Sequence, residues 1–282
     1  MVEETLRTLE RALEVLKSFG RGSPALTIGQ LADRLAMPRS VVVRILATLE
    51  QAGFVERAPD NRRQFRIGLA ACEVGAVYFA GNPLLRGAEG VLRDLADRTG
   101  FTAYLGVLDG AEVVILAHRE GRAPVRFVWQ AGDRLPVATT ALGKALLMHM
   151  TPEQLDGVLG EGPLAGLTDG SLRARRELDP QLSHHAEKGW IIAKDESYPG
   201  VTAVGAAVLA PDGAPLAGVS LSLLSNSMGA REIATLGAAL RDAAGTISRR
   251  VAPGIEYGRE TIAPRALRAA LICATASQGD MP

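Results

Sequence analysis

Cysteine is scarce: Cys72 and Cys273 are the only two in 282 residues, and they lie far apart. They build neither a disulfide framework nor a paired-thiol metal or redox motif, and a reducing, cytoplasmic setting is expected. Long apolar runs are missing too. A membrane-spanning helix needs roughly 18–20 apolar residues. The longest candidate, Val201 to Ala210, is interrupted by Thr202 and Gly205 and has the length of a strand. The opening Met1-Val2-Glu3-Glu4 is acidic, with no basic stretch leading into an apolar one, so no signal peptide is expected. Net charge is zero, with 31 Lys and Arg against 31 Asp and Glu. Affinity for a polyanion can therefore come only from local clusters. Repeats and low-complexity tracts are absent as well. What remains is a soluble globular composition, 47% hydrophobic and 22% charged, in a chain long enough for two domains.

The first seventy residues carry clear helical punctuation. Leu6, Leu9, Leu13 and Leu16 recur at helical spacing, with Ala12 and Phe19 on the same flank, and Gly20, Gly22 and Pro24 end the run. Thr27 and Gln30 have capping-box spacing before a short helix through Ile28, Leu31, Ala32 and Leu35. A tight turn at Ala36-Met37-Pro38 leads into a third helix, whose apolar stripe is Val42, Ile45, Leu46 and Leu49. Its opposite face carries Ser40, Arg44 and Ala47, flanked by Val43. This arrangement fits a helix-turn-helix, in which the second helix keeps its back packed and turns its first residues to DNA. Arg44 would then read guanine through a bidentate contact. Ser40 would bond a base or phosphate, Val43 would touch a thymine methyl, and Arg39 would sit on phosphate. The same stripes also suit a small helical bundle that binds no DNA.

The next segment favours DNA. Phe54 to Arg57 and Gln64 to Ile67 read as two strands around a turn-rich tip, Ala58 to Arg63. A hairpin after a recognition helix is a wing, and Arg62 and Arg63 would lie along phosphates or in the minor groove. From Gln30 to Arg66 seven arginines (34, 39, 44, 57, 62, 63 and 66) face four acids (33, 50, 56 and 60), a local surplus of three. A solvated hairpin tip is the alternative for the two wing arginines.

Beyond the wing, Leu69 to Tyr78 is helix-like and apolar until Gly81-Asn82-Pro83, and reads as a linker helix. Leu84, Leu85, Ala88, Val91, Leu92 and Leu95 form a further helix, ended near Gly100. Strands are expected at Thr102–Leu108 and Glu112–Ala117 around Asp109-Gly110, at Val125–Trp129, at Ala203–Ala210 and at Leu216–Leu223. Helices are expected from Ala141 to about Met150, over Pro152–Leu159 and Ser171–Lys188, and from Met228 to Val251. Helices before, between and after paired strands make the class α+β, with an antiparallel sheet. The expected organisation is a winged helix-turn-helix over 1–68, a linker helix over 69–83, a sensor domain over 84–252 and an unassigned tail over 253–282. Within the tail, Pro264 to Ala274 is either a short amphipathic helix or without fixed structure.

Catalytic motifs fail on inspection. Gly218-Val219-Ser220-Leu221-Ser222 lacks the final glycine of a nucleophile elbow and lies within a strand. Gly143-Lys144 lacks the upstream glycine of a phosphate-binding loop, and Ala145 stands where Ser or Thr would be needed. His184 and His185 are adjacent and cannot share a helical face, so no metal site is expected, even with His118 and His149. No cofactor is expected either. A more promising feature is Thr140 to Lys144, a loop entering a helix, where free backbone N–H groups and the helix dipole favour an anion. Ser220 and Ser222, two apart on a strand, share one face; ordinary solvent-facing serines would look the same.

Three segments together resemble the IclR family of transcription regulators: "IGQLADRLAMPRSVVVRILATLEQAGFVER", "LPVATTALGKALL", and "EKGWIIAKDESYPGVTAVGAAV" followed by "GVSLSL". The resemblance covers about Leu6 to Arg249. It implies a winged helix-turn-helix, a linker helix and a GAF-like effector domain. It also implies homodimers or homotetramers on pseudo-palindromic double-stranded DNA operators, with a small-molecule effector and no membrane. It places the carboxylate of an acid effector on backbone amides around Ala141, Leu142 and Gly143, with Ser220 and Ser222 bonding the ligand. Members that bind small keto acids carry Asp and Cys where this chain has Ala193 and Ala203. That departure implies a larger, more apolar pocket and an effector with an aromatic body, with Trp129 or Trp190 as a possible wall. A repressor of catabolic genes is the expected function. An enzyme acting on a small organic acid, fused to a DNA-binding head, is the alternative.

Overall fold

The computed structural model describes residues 6–20, 22–123 and 129–255. The chain divides into two compact units, one running through Gly81 and one from Asn82 onward.

The first unit opens with α1 (Arg7–Lys17), β1 (Ala25–Thr27), α2 (Ile28–Arg34) and α3 (Arg39–Gln51). The capping box is present: the Gln30 amide donates to Thr27 Oγ1 at 3.2 Å, and the Thr27 amide donates to Gln30 Oε1 at 2.8 Å. Ala36 takes a left-handed φ of 49° in the turn, and Pro38 stands immediately before α3. Then come β2 (Val55–Arg57), β3 (Gln64–Ile67) and α4 (Leu69–Gly81). The three strands form an antiparallel sheet in the order β1-β3-β2, so the wing hairpin is anchored by a third strand. At three residues, β1 was too short to show periodicity in the sequence. The core joins Val15 of α1, Leu31 of α2, Val42 and Leu46 of α3, and Phe65 of β3.

One expectation is corrected here. Of the leucine stripe of α1 only Leu16 packs on this core, while Leu6, Leu9 and Leu13 are exposed. Ala12 and Phe19 of the expected flank pack beside Leu16, and Val15, outside the stripe, is the residue most deeply buried. Helix α4 likewise buries none of its residues, and Leu69, Val74, Val77, Tyr78 and Phe79 are exposed. It ends at Gly81, and Asn82 separates it from the next helix, where the sequence suggested a break.

The second unit starts with α5 (Pro83–Thr99), capped by Asn82, whose Oδ1 accepts from the Leu84 amide at 3.0 Å. Its strands are β4 (Thr102–Asp109), β5 (Glu112–Arg119), β6 (Arg134–Pro136), β7 (Ile191–Lys194), β8 (Val201–Leu209) and β9 (Pro215–Leu224). They make one antiparallel sheet in the order β6-β5-β4-β9-β8-β7. Helices α6 (Ala141–Leu147), α7 (Pro152–Leu159), α8 (Arg175–Ala186) and α9 (Ala230–Ile255) complete it.

Alternation along the strands splits the interior into two cores. Ala103, Leu105, Val204, Val219 and Leu221 face α5 and α9. Tyr104, Leu108, Ile191 and Ala207 face the side that holds α6 and α8.

Several boundaries differ from expectation. The edge strands β6 and β7, three and four residues long, were not foreseen. Helix α8 begins at Arg175 rather than Ser171, because Ser171 is engaged in a loop: its Oγ donates to the Glu196 carbonyl at 2.6 Å. Helix α6 stops at Leu147 rather than Met150, and α9 runs past Val251 to Ile255. Of the strand expected at Val125–Trp129, only Trp129 is among the described residues, and it belongs to no strand. The segment Pro264 to Ala274 lies outside the described residues.

Candidate functional site

The first surface is the exposed side of α3 with the wing. Arg39, Ser40, Val43 and Arg44 are all exposed, while Val42, Ile45, Leu46 and Leu49 are buried behind them. Arg62 and Arg63 are exposed at the hairpin tip. The other arginines of this unit's basic stretch are committed elsewhere. Arg34 donates to the Ser18 carbonyl at 2.8 Å and to Ser23 Oγ at 3.0 Å. Arg57 pairs with Glu50 at 3.1 Å and lies 3.9 Å from the centre of the Phe65 ring. Arg66 pairs with Glu56 at 2.6 Å. Among the described residues no ion pair engages Arg39, Arg44, Arg62 or Arg63. The four guanidinium groups assigned to DNA from sequence are thus the four left free of carboxylates.

The second site is the α6 face of the large sheet. Here the strand register brings distant residues into rows. Ala193 stands opposite Ala203, Ala203 opposite Ser222, and Ser222 opposite Thr102, so one rung crosses four strands. The next rung holds Ile191, Gly205, Ser220 and Tyr104. Helix α6 lies hard against this face. A Cβ on Gly205 would collide with the Ala141 carbonyl oxygen, and one on Gly218 would lie 2.7 Å from the Leu142 carbonyl oxygen. Only glycine lets the helix come so close. Thus Ala141, Leu142, Ser220, Ala193 and Ala203, drawn from three parts of the sequence, lie on one side of one sheet.

The amides at the start of α6 are not equivalent. Thr140 is the N-cap, and the Gly143 amide donates to its Oγ1 at 2.9 Å. Ala141 and Leu142 precede it with no capping bond of that kind. Ser220 is buried and Ser222 half-buried. Burial pushes the Tyr104 phenol up to about 12, against a backbone hydrogen bond with Trp129, so the ring beside Ser220 stays neutral. Trp129 packs on this side of the sheet. Trp190 does not: it belongs to the core facing α5 and α9, which removes it as a wall of this site.

Sequence reasoning missed the strongest electrostatic feature. Lys144, read there only as the end of the Thr140–Lys144 segment and of a failed phosphate loop, is fully buried in α6. Its Nζ donates to Glu196 Oε1 at 2.6 Å and to Gln181 Oε1 at 3.0 Å. Burial draws the ammonium down and the Glu196 carboxyl up, and each charge offsets the other's shift. Asp195 is a turn residue with φ of 58°; its Oδ1 accepts from the Gly200 amide and from Ser225 Oγ, each at 2.7 Å. Among the described residues no group of three or more metal-ligating side chains forms. His185 instead shares a 3.0 Å hydrogen bond with the Trp190 carbonyl.

A winged helix with free arginines, joined in one chain to a domain with a hydroxyl-lined sheet face, defines a DNA-binding, ligand-responsive transcription regulator. The comparisons agree. The model of the IclR helix-turn-helix domain matches residues 8–59, and that of the bacterial transcriptional regulator IclR C-terminal domain matches residues 77–249. The chain belongs to the IclR family. It is 30% identical over 253 residues to the HTH-type transcriptional regulator BhcR of Paracoccus denitrificans, covering 90% of each chain. It is 26% identical to the HTH-type transcriptional repressor AllR of Escherichia coli, over 88% of this chain and 91% of that one. An IclR homolog from Microbacterium hydrocarbonoxydans, complexed with 4-hydroxybenzoate, superposes with a TM-score of 0.74 at 23% identity, covering 86% of this chain and 98% of that one. The fold class is accordingly α+β, a winged helix-turn-helix followed by a GAF-like effector domain. No helix among the described residues is long and apolar enough to cross a membrane.

Proposed function

We propose that this protein is a repressor of catabolic genes, released from its operator by a small carboxylate with an apolar, aromatic body. The observation that carries the effector half is the rung Ala193–Ala203–Ser222 beside the start of α6. Two methyl groups stand there where keto-acid-binding members have Asp and Cys, so the floor offers area to a ring rather than charge to a small acid. The carboxylate sits on the Ala141 and Leu142 amides, close to Gly143, with Ser220 and Ser222 bonding the ligand. The Microbacterium homolog, of the same fold, is complexed with an aromatic carboxylate, and AllR is named a repressor; both favour this reading.

On the DNA side, Arg44 reads a base edge with Ser40 and Val43, Arg39 holds phosphate, and Arg62 and Arg63 of the wing track the backbone. The protein works in the cytoplasm as a homodimer or homotetramer. The exposed leucines of α1 and the exposed apolar face of α4 are suited to a second copy. Linker helix α4 carries the effector signal by resetting the spacing of two recognition helices on a two-fold operator.

A thermal-shift screen of aliphatic and aromatic carboxylates tests the effector. At about 100 times its dissociation constant a true effector stabilises the folded state by roughly 2.7 kcal/mol. Heat from pyruvate or glyoxylate in calorimetry, with none from benzoate-like acids, would refute the aromatic reading.

A further inference from the structure

The rung that carries Ala193, Ala203 and Ser222 ends at Thr102 on β4. Thr102 is 3% exposed, and its Oγ1 is buried without a hydrogen-bond partner. Buried hydroxyls nearly always find partners, and a valine would fill the same space in a strand without that cost. Its direction is fixed by alternation. Ala103 and Leu105 pack toward α5 and α9, so Thr102 points with Tyr104 to the α6 side, where Ser220 and Ser222 also point. The rung is therefore two-toned: hydroxyls on β4 and β9, methyls on β8 and β7. Directly opposed residues in an antiparallel pair have Cβ atoms about 4.5–5.5 Å apart, so one ligand oxygen can reach both Thr102 and Ser222.

We propose that Thr102 contacts the effector, and that the effector is an aromatic carboxylate bearing a hydroxyl. The hydroxyl is held by Thr102 and Ser222, while the ring lies over Ala203 and Ala193. This rests on the effector reading above and adds a ligand group that reading did not contain. The unmet hydrogen bond of Thr102 is satisfied only in the bound state, so it contributes selectivity rather than stability to the free protein.

Calorimetry on the full chain tests it, with benzoate and its ortho-, meta- and para-hydroxy derivatives as probes. At least one hydroxybenzoate should bind the wild type about tenfold more tightly than benzoate, the factor expected of one hydrogen bond. Thr102→Val should bring that preference close to one, leave benzoate affinity unchanged, and melt no lower than wild type without ligand. Thr102→Ser should keep the preference. Hydroxybenzoates binding no better than benzoate, or a preference that survives Thr102→Val, would overturn the proposal. So would a Thr102→Val protein that melts several degrees lower, which would mark the hydroxyl as structural. Binding of none of the four acids would defeat the aromatic-effector reading itself and take this proposal with it.

Discussion

Lys144 and Glu196 show what a single buried pair demands. Their 2.6 Å contact sits in a protein interior where either charge alone is costly. Lys144→Met should therefore destabilise the protein by about 3–5 kcal/mol, because the buried Glu196 carboxyl loses its partner. Adding Glu196→Leu should recover most of that loss. Denaturant unfolding of the two variants checks both, and equal stability of single and double variants would rule out the pairing. The pair was invisible in the sequence because its members lie 52 residues apart and no local pattern links them. The exposure of Arg44 is the opposite case, legible from spacing alone. The stripe of α3 set its direction, and the structure leaves it exposed without an ion pair. Arg44→Ala should cost about 1–3 kcal/mol of discrimination between operator and random DNA. Unchanged discrimination in a competition binding assay would move the recognition face elsewhere.

Among the elements, the wing and α3 should behave differently. Arg62→Ala with Arg63→Ala should weaken binding to every sequence and flatten the dependence of affinity on salt, because phosphate contacts carry no sequence information. A loss confined to operator DNA in a salt titration would contradict that role. Helix α1 poses a separate question, since Leu9 and Leu13 lie exposed beside a packed Val15. Leu9→Glu with Leu13→Glu should leave the monomer folded but shift sedimentation toward it at micromolar concentration, and weaken binding to two-half-site DNA. A variant that still sediments as wild type would exclude this stripe from the interface. Elements with clear patterning or end signals were read well from sequence: α2, α3, α7, β4 and β9 fall within one or two residues of expectation. The misses have physical causes. Strands of three or four residues, as in β1, β6 and β7, show too little alternation to stand out. The late start of α8 depends on a loop contact with Glu196 that only the fold creates.

At the scale of the whole molecule, the two units divide the labour between them. The residues assigned to DNA all fall before Gly81, and those assigned to the effector all fall after Asn82. The rung on the sheet was only half legible. Sequence and resemblance supplied Ala193, Ala203, Ser220 and Ser222, but the register that sets Thr102 opposite Ser222 required the sheet itself. Ala193 and Ala203 face each other on β7 and β8, and Val204, next to Ala203 on β8, points the other way into the core with α5 and α9. These two positions therefore set two methyl groups side by side on the floor of the proposed effector site. A library confined to them could exchange the chemical input of a genetic sensor while its promoter stays the same. On the proposed reading, Ala193→Asp with Ala203→Cys should shift binding from benzoate-like acids toward pyruvate-like ones, which calorimetry on the double variant checks.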